Sequence, residues 1–297
     1  MKIAIIVAVI LLAVGLAVTI VGLCIADFKF TSEPRTDTVE LNEDFDRISV
    51  DVDTTDVKFV VSGTGKSFVE IVEHGNSKLG HNVQIKNGVL SISEKDDRAW
   101  YEHVGIGWGE RSVTVYLAKT DFESINIETD TGAVTMPAGL SFKNASVELD
   151  TGDVTWSAHV WKTLEVDTDT GKISVSGITC ENLEIESDTG KVNTEGTRVM
   201  QNMSVEVTTG KVTLKNTVAG GMLNIKTSTG DVDLDSCDGG TVNIKTSTGD
   251  VSGTLLTDKD FDADSGTGKV TTPPPLRGSG ACKIHCSTGD INVSVKQ

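Results

Sequence analysis

Leu223-Asn224-Ile225-Lys226-Thr227-Ser228-Thr229-Gly230-Asp231-Val232 decides the fold, because this stretch returns along the chain with its chemistry preserved. Gly230 is one of nine glycines (Gly132, Gly152, Gly171, Gly190, Gly210, Gly230, Gly249, Gly268 and Gly289), each preceded by Thr and spaced by 19 to 21 residues. Two residues after each stands Val or Ile, from Val134 to Ile291. Five before each the column runs Ile127, Val147, Val166, Ile185, Val205, Ile225, Ile244, Ala263 and Ile284, and seven before it is again apolar. Alternating apolar positions rich in β-branched residues have the period of a strand, not a helix. Each repeat reads as a strand, a tight Thr-Gly bend and a second short strand. One unit cannot bury its apolar side alone, whereas stacked copies set Ile on Ile and Val on Val. The pattern predicts an all-β chain, a single parallel β-solenoid of about 20 residues per coil, rising roughly 43 Å over nine coils. The glycine column fits a bend that needs positive φ or close backbone approach. An antiparallel sandwich gives no reason to keep one residue type in register nine times.

Working outward, residues 45–120 read as degenerate coils and a cap, and 121–297 as the nine-coil solenoid. Ile48, Val50 and Val52 lead into Asp53-Thr54-Thr55-Asp56-Val57, the same bend with Thr55 at the glycine position. Val83 and Ile85 before Asn87-Gly88, with Leu90 and Ile92 after, read as another coil, and Val113, Val115 and Leu117 as a further strand. Longer loops fall at about 73–82 and 94–111. Pro273-Pro274-Pro275 makes a loop outside the ladder.

Residues 1–26 read as a transmembrane anchor. Ile3 to Ala26 carry no charge, long enough as a helix (roughly 36 Å) to cross a hydrocarbon core of about 30 Å. Lys2 precedes the segment and acids crowd its far side, so the N-terminus is expected in the cytoplasm and everything after it outside. A cleaved signal peptide, with Cys24-Ile25-Ala26 before the cut, and lipidation at Cys24 are the alternatives; all three export the remainder. Residues 27–44 read as a polar juxtamembrane linker.

The chain has 43 acids against 26 bases, a net charge of −17, which disfavours nucleic acid as a partner. Five cysteines are too few for a disulfide scaffold and are expected as free, mostly buried thiols. Ser62-Gly63-Thr64-Gly65-Lys66-Ser67 ends like a phosphate loop but has Val60 where that motif needs Gly and no helix pattern after it, so it is a turn. The five histidines share no metal spacing. Asp130, Asp150, Asp169 and Asp188, two before their glycines, could share a cation as stacked carboxylates. The alternative is that each caps its own bend. No cofactor is expected, and scarce Arg in an acidic rod argues against a glycan-active enzyme.

The candidate binding residues are aromatic. Trp100, Tyr101 and Trp108 fall in one Gly-rich insertion, and Trp161 lies outside the core columns. Trp and Tyr anchor protein and sugar contacts. The insertion reads either as such a contact loop or as a hydrophobic cap over the open end of the solenoid. Trp156 occupies an inward position.

The repeats, with Val113-Thr114-Val115-Tyr116-Leu117 leading into Ile125-Asn126-Ile127, resemble the bacterial DUF4097 β-strand repeat proteins, also called candidate adhesins and akin to the GIN domain. The resemblance spans about 45–297; where the family usually has Pro, this chain has Ala118. It implies a right-handed β-helix, membrane-tethered in many members, some encoded near envelope-stress regulators. It carries across no catalytic residues. The expected function is a non-catalytic scaffold or adhesin-like module on the cell membrane, displaying its loops away from the bilayer, with another membrane or surface protein or wall glycan as partner. An accessory role in envelope-stress signalling is the alternative.

Overall fold

The computed structural model describes residues 35–73, 79–96 and 111–296. The apolar segment 3–26, Trp100, Tyr101 and Trp108 lie outside them. Among the described residues there are twenty-four strands, and no helix is long and apolar enough to cross a membrane.

The all-β parallel solenoid is observed. Val147 pairs with Ile127 on one side and Val166 on the other, Val166 with Ile185 and Ile185 with Val205. The Ile, Val and Leu columns are almost wholly buried and form one core cluster. Each such side chain contributes about 1.5–3 kcal/mol on burial. Trp156 is buried at an inward position, its Nε1 donating to the Ala158 carbonyl at 2.8 Å.

The N-terminal strands are β1 (Arg35–Leu41), β2 (Arg47–Val52), β3 (Asp56–Val61), β4 (Ser67–Glu73), β5 (Leu79–Lys86), β6 (Val89–Asp96), β7 (Ser112–Leu117) and β8 (Asp121–Thr131). The stretch read as linker is therefore a strand from Arg35: Val39 pairs with Val69 and packs on the core. β2 and β3 form a true coil with Thr55 at the bend. It lies between β8 on one side and β6 and β7 on the other. The segment around Asn87-Gly88 is not a coil. β5 and β6 pair antiparallel across a tight turn with φ of 52° and 73° at these two residues, the left-handed pair a two-residue hairpin requires.

At the other end the stacking order departs from chain order. Val242 and Ile244 pair with Cys282 and Ile284, which in turn pair with Phe261 and Ala263. The Gly289 coil is thus inserted between the Gly249 coil and the Gly268 coil, and the latter is outermost. Lys259, buried in that outer coil, sends its Nζ past Gly280 to Asp238 Oδ1 (2.6 Å) and the Gly239 carbonyl (2.8 Å), pinning three layers together. The outer edge is guarded by Asp260, Asp262 and Asp264 and by the triple proline, as exposed sheet edges require.

Candidate functional site

The bends form one continuous spine. Glycine amides along it donate to the carbonyl of the Thr in the next coil of the stack, as in Gly152 N to Thr170 O (2.9 Å) and Gly210 N to Thr229 O (2.8 Å). A Cβ on Gly171, Gly190 or Gly230 would fall on the carbonyl oxygen of the preceding glycine, far inside 3.0 Å. The Asp130 column does not cap these bends. The caps come from the residue after the glycine and reach across coils. Asp56 Oδ1 accepts from Ala133 N (2.8 Å) and Asp153 Oδ1 from Lys172 N (2.8 Å). Asp231, Asp250 and Asp290 accept in turn from Asp250, Asp290 and Lys269 amides at 2.7–3.0 Å.

Asp130, Asp150, Asp169 and Asp188 are exposed, and among the described residues no His, Cys, Asp or Glu group is arranged to hold a metal ion. A longer acidic file runs beside them, four before the glycine. Glu128, Glu148, Asp167, Glu186 and Glu206 are paired in register and give way to Lys226 and Lys245. Burial, then the charges of Asp169 and Asp188, push the Asp167 carboxyl up. Burial, then Asp167 and Glu206, do the same to Glu186. A raised carboxylate pKa penalises the ionised fold, so this stabilisation is present below the unfolded pKa and lost as pH rises through the folded one. Asp167→Asn should therefore stabilise the fold at pH 7 by about 0.5 kcal/mol after solvent screening. In denaturant titrations the gain should vanish below about pH 4; an unchanged midpoint at pH 7 would contradict the repulsion.

At the N-terminal end two buried polar links converge on the Thr55 bend. Glu94 and Arg111, on either side of residues 97–110, pair at 2.5 Å with side chains only 5% and 8% exposed. Glu94 Oε2 also accepts from the amides of Asp53 (2.9 Å) and Thr54 (3.3 Å), and Arg111 Nη1 donates to Thr54 Oγ1 (3.2 Å). Glu73 and His81 flank residues 74–78 in the same way: Glu73 Oε1 lies 3.0 Å from His81 Nδ1, and His81 Nε2 lies 3.2 Å from Thr55 Oγ1. Hydroxyl, imidazole and carboxylate stand in the order of a nucleophile relay. Thr55 is 1% exposed, so this hydroxyl is buried within the network. The network fastens the cap.

These coils and this cap match a known pattern: the profile described as Toastrack DUF4097 covers residues 45–294. The chain belongs to the Toastrack DUF4097 family. Solved structures similar to this Toastrack chain include a candidate adhesin from Bacteroides fragilis (13% identity, 89% of this chain and 97% of that one, TM-score 0.49). Candidate adhesins from Parabacteroides distasonis (11% identity, 89% and 98%, TM-score 0.45) and Parabacteroides merdae (11%, 89% and 97%, 0.44) are also similar. No curated protein matches.

On this Toastrack solenoid Trp161 is 68% exposed, next to the buried Val160. Met200, 58% exposed and next to the buried Val199, takes the corresponding outward place two coils on. The thiols at 180, 237, 282 and 286 are free and buried, and burial pushes Cys180 and Cys282 up to about 12 and Cys286 to about 11. Such thiols remain protonated and unreactive at neutral pH.

Proposed function

We propose that this chain is a membrane-anchored, extracytoplasmic solenoid serving as a non-catalytic scaffold and binding module, with Trp100, Tyr101 and Trp108 as its contact residues. The carrying observation is the buried Glu94–Arg111 pair, which fixes both flanks of residues 97–110 to a coil stack locked at each end.

One feature of the cap bears on the partner. β1, where the described chain begins, is joined through β4 to β7, whose first residue follows Arg111. The eight residues 27–34 span at most about 28 Å when extended. An anchor at 3–26 would hold Arg111, the described flank of that insertion, near the bilayer. This favours a partner in the same membrane, the accessory reading, over a distant surface or wall glycan. Photo-crosslinking from position 108 in intact cells, followed by mass spectrometry, tests it. Capture of a neighbouring membrane protein is the expected result. Capture of wall glycan or a foreign surface protein would restore the adhesin reading, and no capture would leave the insertion as a cap.

A further inference from the structure

A groove of about 640 Å³ opens at the N-terminal end, where the connections β1–β2, β3–β4 and β7–β8 meet. That volume suits a small organic ligand. Its floor is apolar: Phe45 stacks on Phe122 at 5.8 Å, Phe122 stacks on Phe142 at 5.6 Å, and Leu41 and Phe68 complete it. One wall is the Thr64-Gly65-Lys66-Ser67 turn, where Gly65 adopts φ of 70°; the Thr64 hydroxyl lies 2.9 Å from the hydroxyl of Ser62, just before the turn. Lys119 stands beside it, its Nζ 5.2 Å from the Phe122 ring centre and 3.4 Å from the Phe45 carbonyl oxygen. Glu40, Glu43 and Asp44 line the rim as well, with Glu40 Oε1 4.0 Å from Lys66 Nζ.

Two ammonium groups beside a hydroxyl-rich turn suit a phosphate. Three carboxylates on the same rim disfavour a purely anionic guest and suit a cation carried with that phosphate. The aromatic floor suits hydrocarbon. We propose that the groove binds a zwitterionic phosphoamphiphile of the phosphoethanolamine type. Its phosphate meets Lys66, Lys119 and the 64–67 turn, its ammonium meets Glu40, Glu43 and Asp44, and its chain lies over Phe45 and Phe122.

Binding here does not depend on residues 97–110, so its failure and that of the crosslinking test are read separately. The full chain, held in a maltoside micelle, is titrated with dihexanoylphosphatidylethanolamine and the adducts are counted by native mass spectrometry. Dihexanoylphosphatidylglycerol and tail-less O-phosphoethanolamine are the comparison probes. One ethanolamine-lipid adduct is expected, favoured at least about tenfold over either probe. It should be lost in Lys66→Glu/Lys119→Glu, a change at two exposed positions whose melting curve reports intact folding. In Glu43→Gln/Asp44→Asn the preference over the glycerol lipid should fall to parity. Absence of an adduct, equal retention by the lysine variant, or equal binding of either comparison probe by the parent would each overturn the proposal.

Discussion

Gly190→Ala should unfold the solenoid at a markedly lower temperature than the parent, although it adds one methyl group. The new Cβ would fall on the carbonyl oxygen of Gly171, and on that side the obstacle is backbone, which cannot swing away. Relief requires parting two coils in the middle of the stack, where Leu164 pairs with Leu183 and Ile173 with Val192. An expected loss of about 3–5 kcal/mol belongs with other changes that force a packed backbone apart. For a domain of this size that corresponds to a fall of roughly 10 °C in melting temperature. Gly63→Ala is the control, since nothing lies within 4 Å of its added Cβ and its φ is not left-handed. Melting of Gly190→Ala at the parent temperature, by calorimetry or by circular dichroism, would refute the spine of close contacts.

Arg111→Met should be comparably severe. It leaves the Glu94 carboxylate buried without its counter-charge, a change that typically costs about 3–5 kcal/mol. Glu94→Gln/Arg111→Met removes both charges and should recover much of the loss, so a double-mutant cycle in urea separates the pair from its packing. Acid supplies a second reading. Burial pushes the Glu94 carboxyl up, but the Arg111 hydrogen bond and charge, with the Asp53 and Thr54 amides, outweigh it and hold the group below its usual range. A depressed carboxylate pKa gives stability that is present above the unfolded value and lost as pH falls through the folded one. The gap between parent and Arg111→Met should therefore close below about pH 4. A gap that persisted undiminished into strong acid would mean that the arginine acts through its hydrocarbon stem alone.

The coils were legible because the sequence writes the same chemistry every 19 to 21 residues, and periodicity needs no tertiary knowledge. Thr55 was legible for the same reason, its flanks keeping the apolar columns where its own side chain departs from Gly. The Asn87-Gly88 hairpin carried a clear local signal, but the alternation around it fits a coil strand and a hairpin strand equally well. The capping acids at 56, 153, 231, 250 and 290 escaped because donor and acceptor sit in different coils, so no local motif marks them. The acidic file from Glu128 to Glu206 was countable in the same columns; the Asp column drew attention first because its residues are identical. The order of the last coils was not legible at all. Cys282 and Ile284 sit as well on Val242 and Ile244 as on Phe261 and Ala263, so the columns specify a layer without specifying its place in the queue. The Glu94–Arg111 pair and the groove arise from contacts between connections, where the repeat is silent.

The misordered coil has a temporal meaning. As the chain emerges from the ribosome, layers up to Gly249 can dock one after another, each on its predecessor. Residues 259–271 cannot follow, because the seat beneath them is formed by Gly280–Thr288 and Ile291–Val295. The last two coils of the solenoid therefore close only when residues 280–295 have docked. A folding intermediate in which residues 280–295 are not yet seated leaves the edge of the Gly249 coil unpaired, and an open sheet edge is a template for association with another chain.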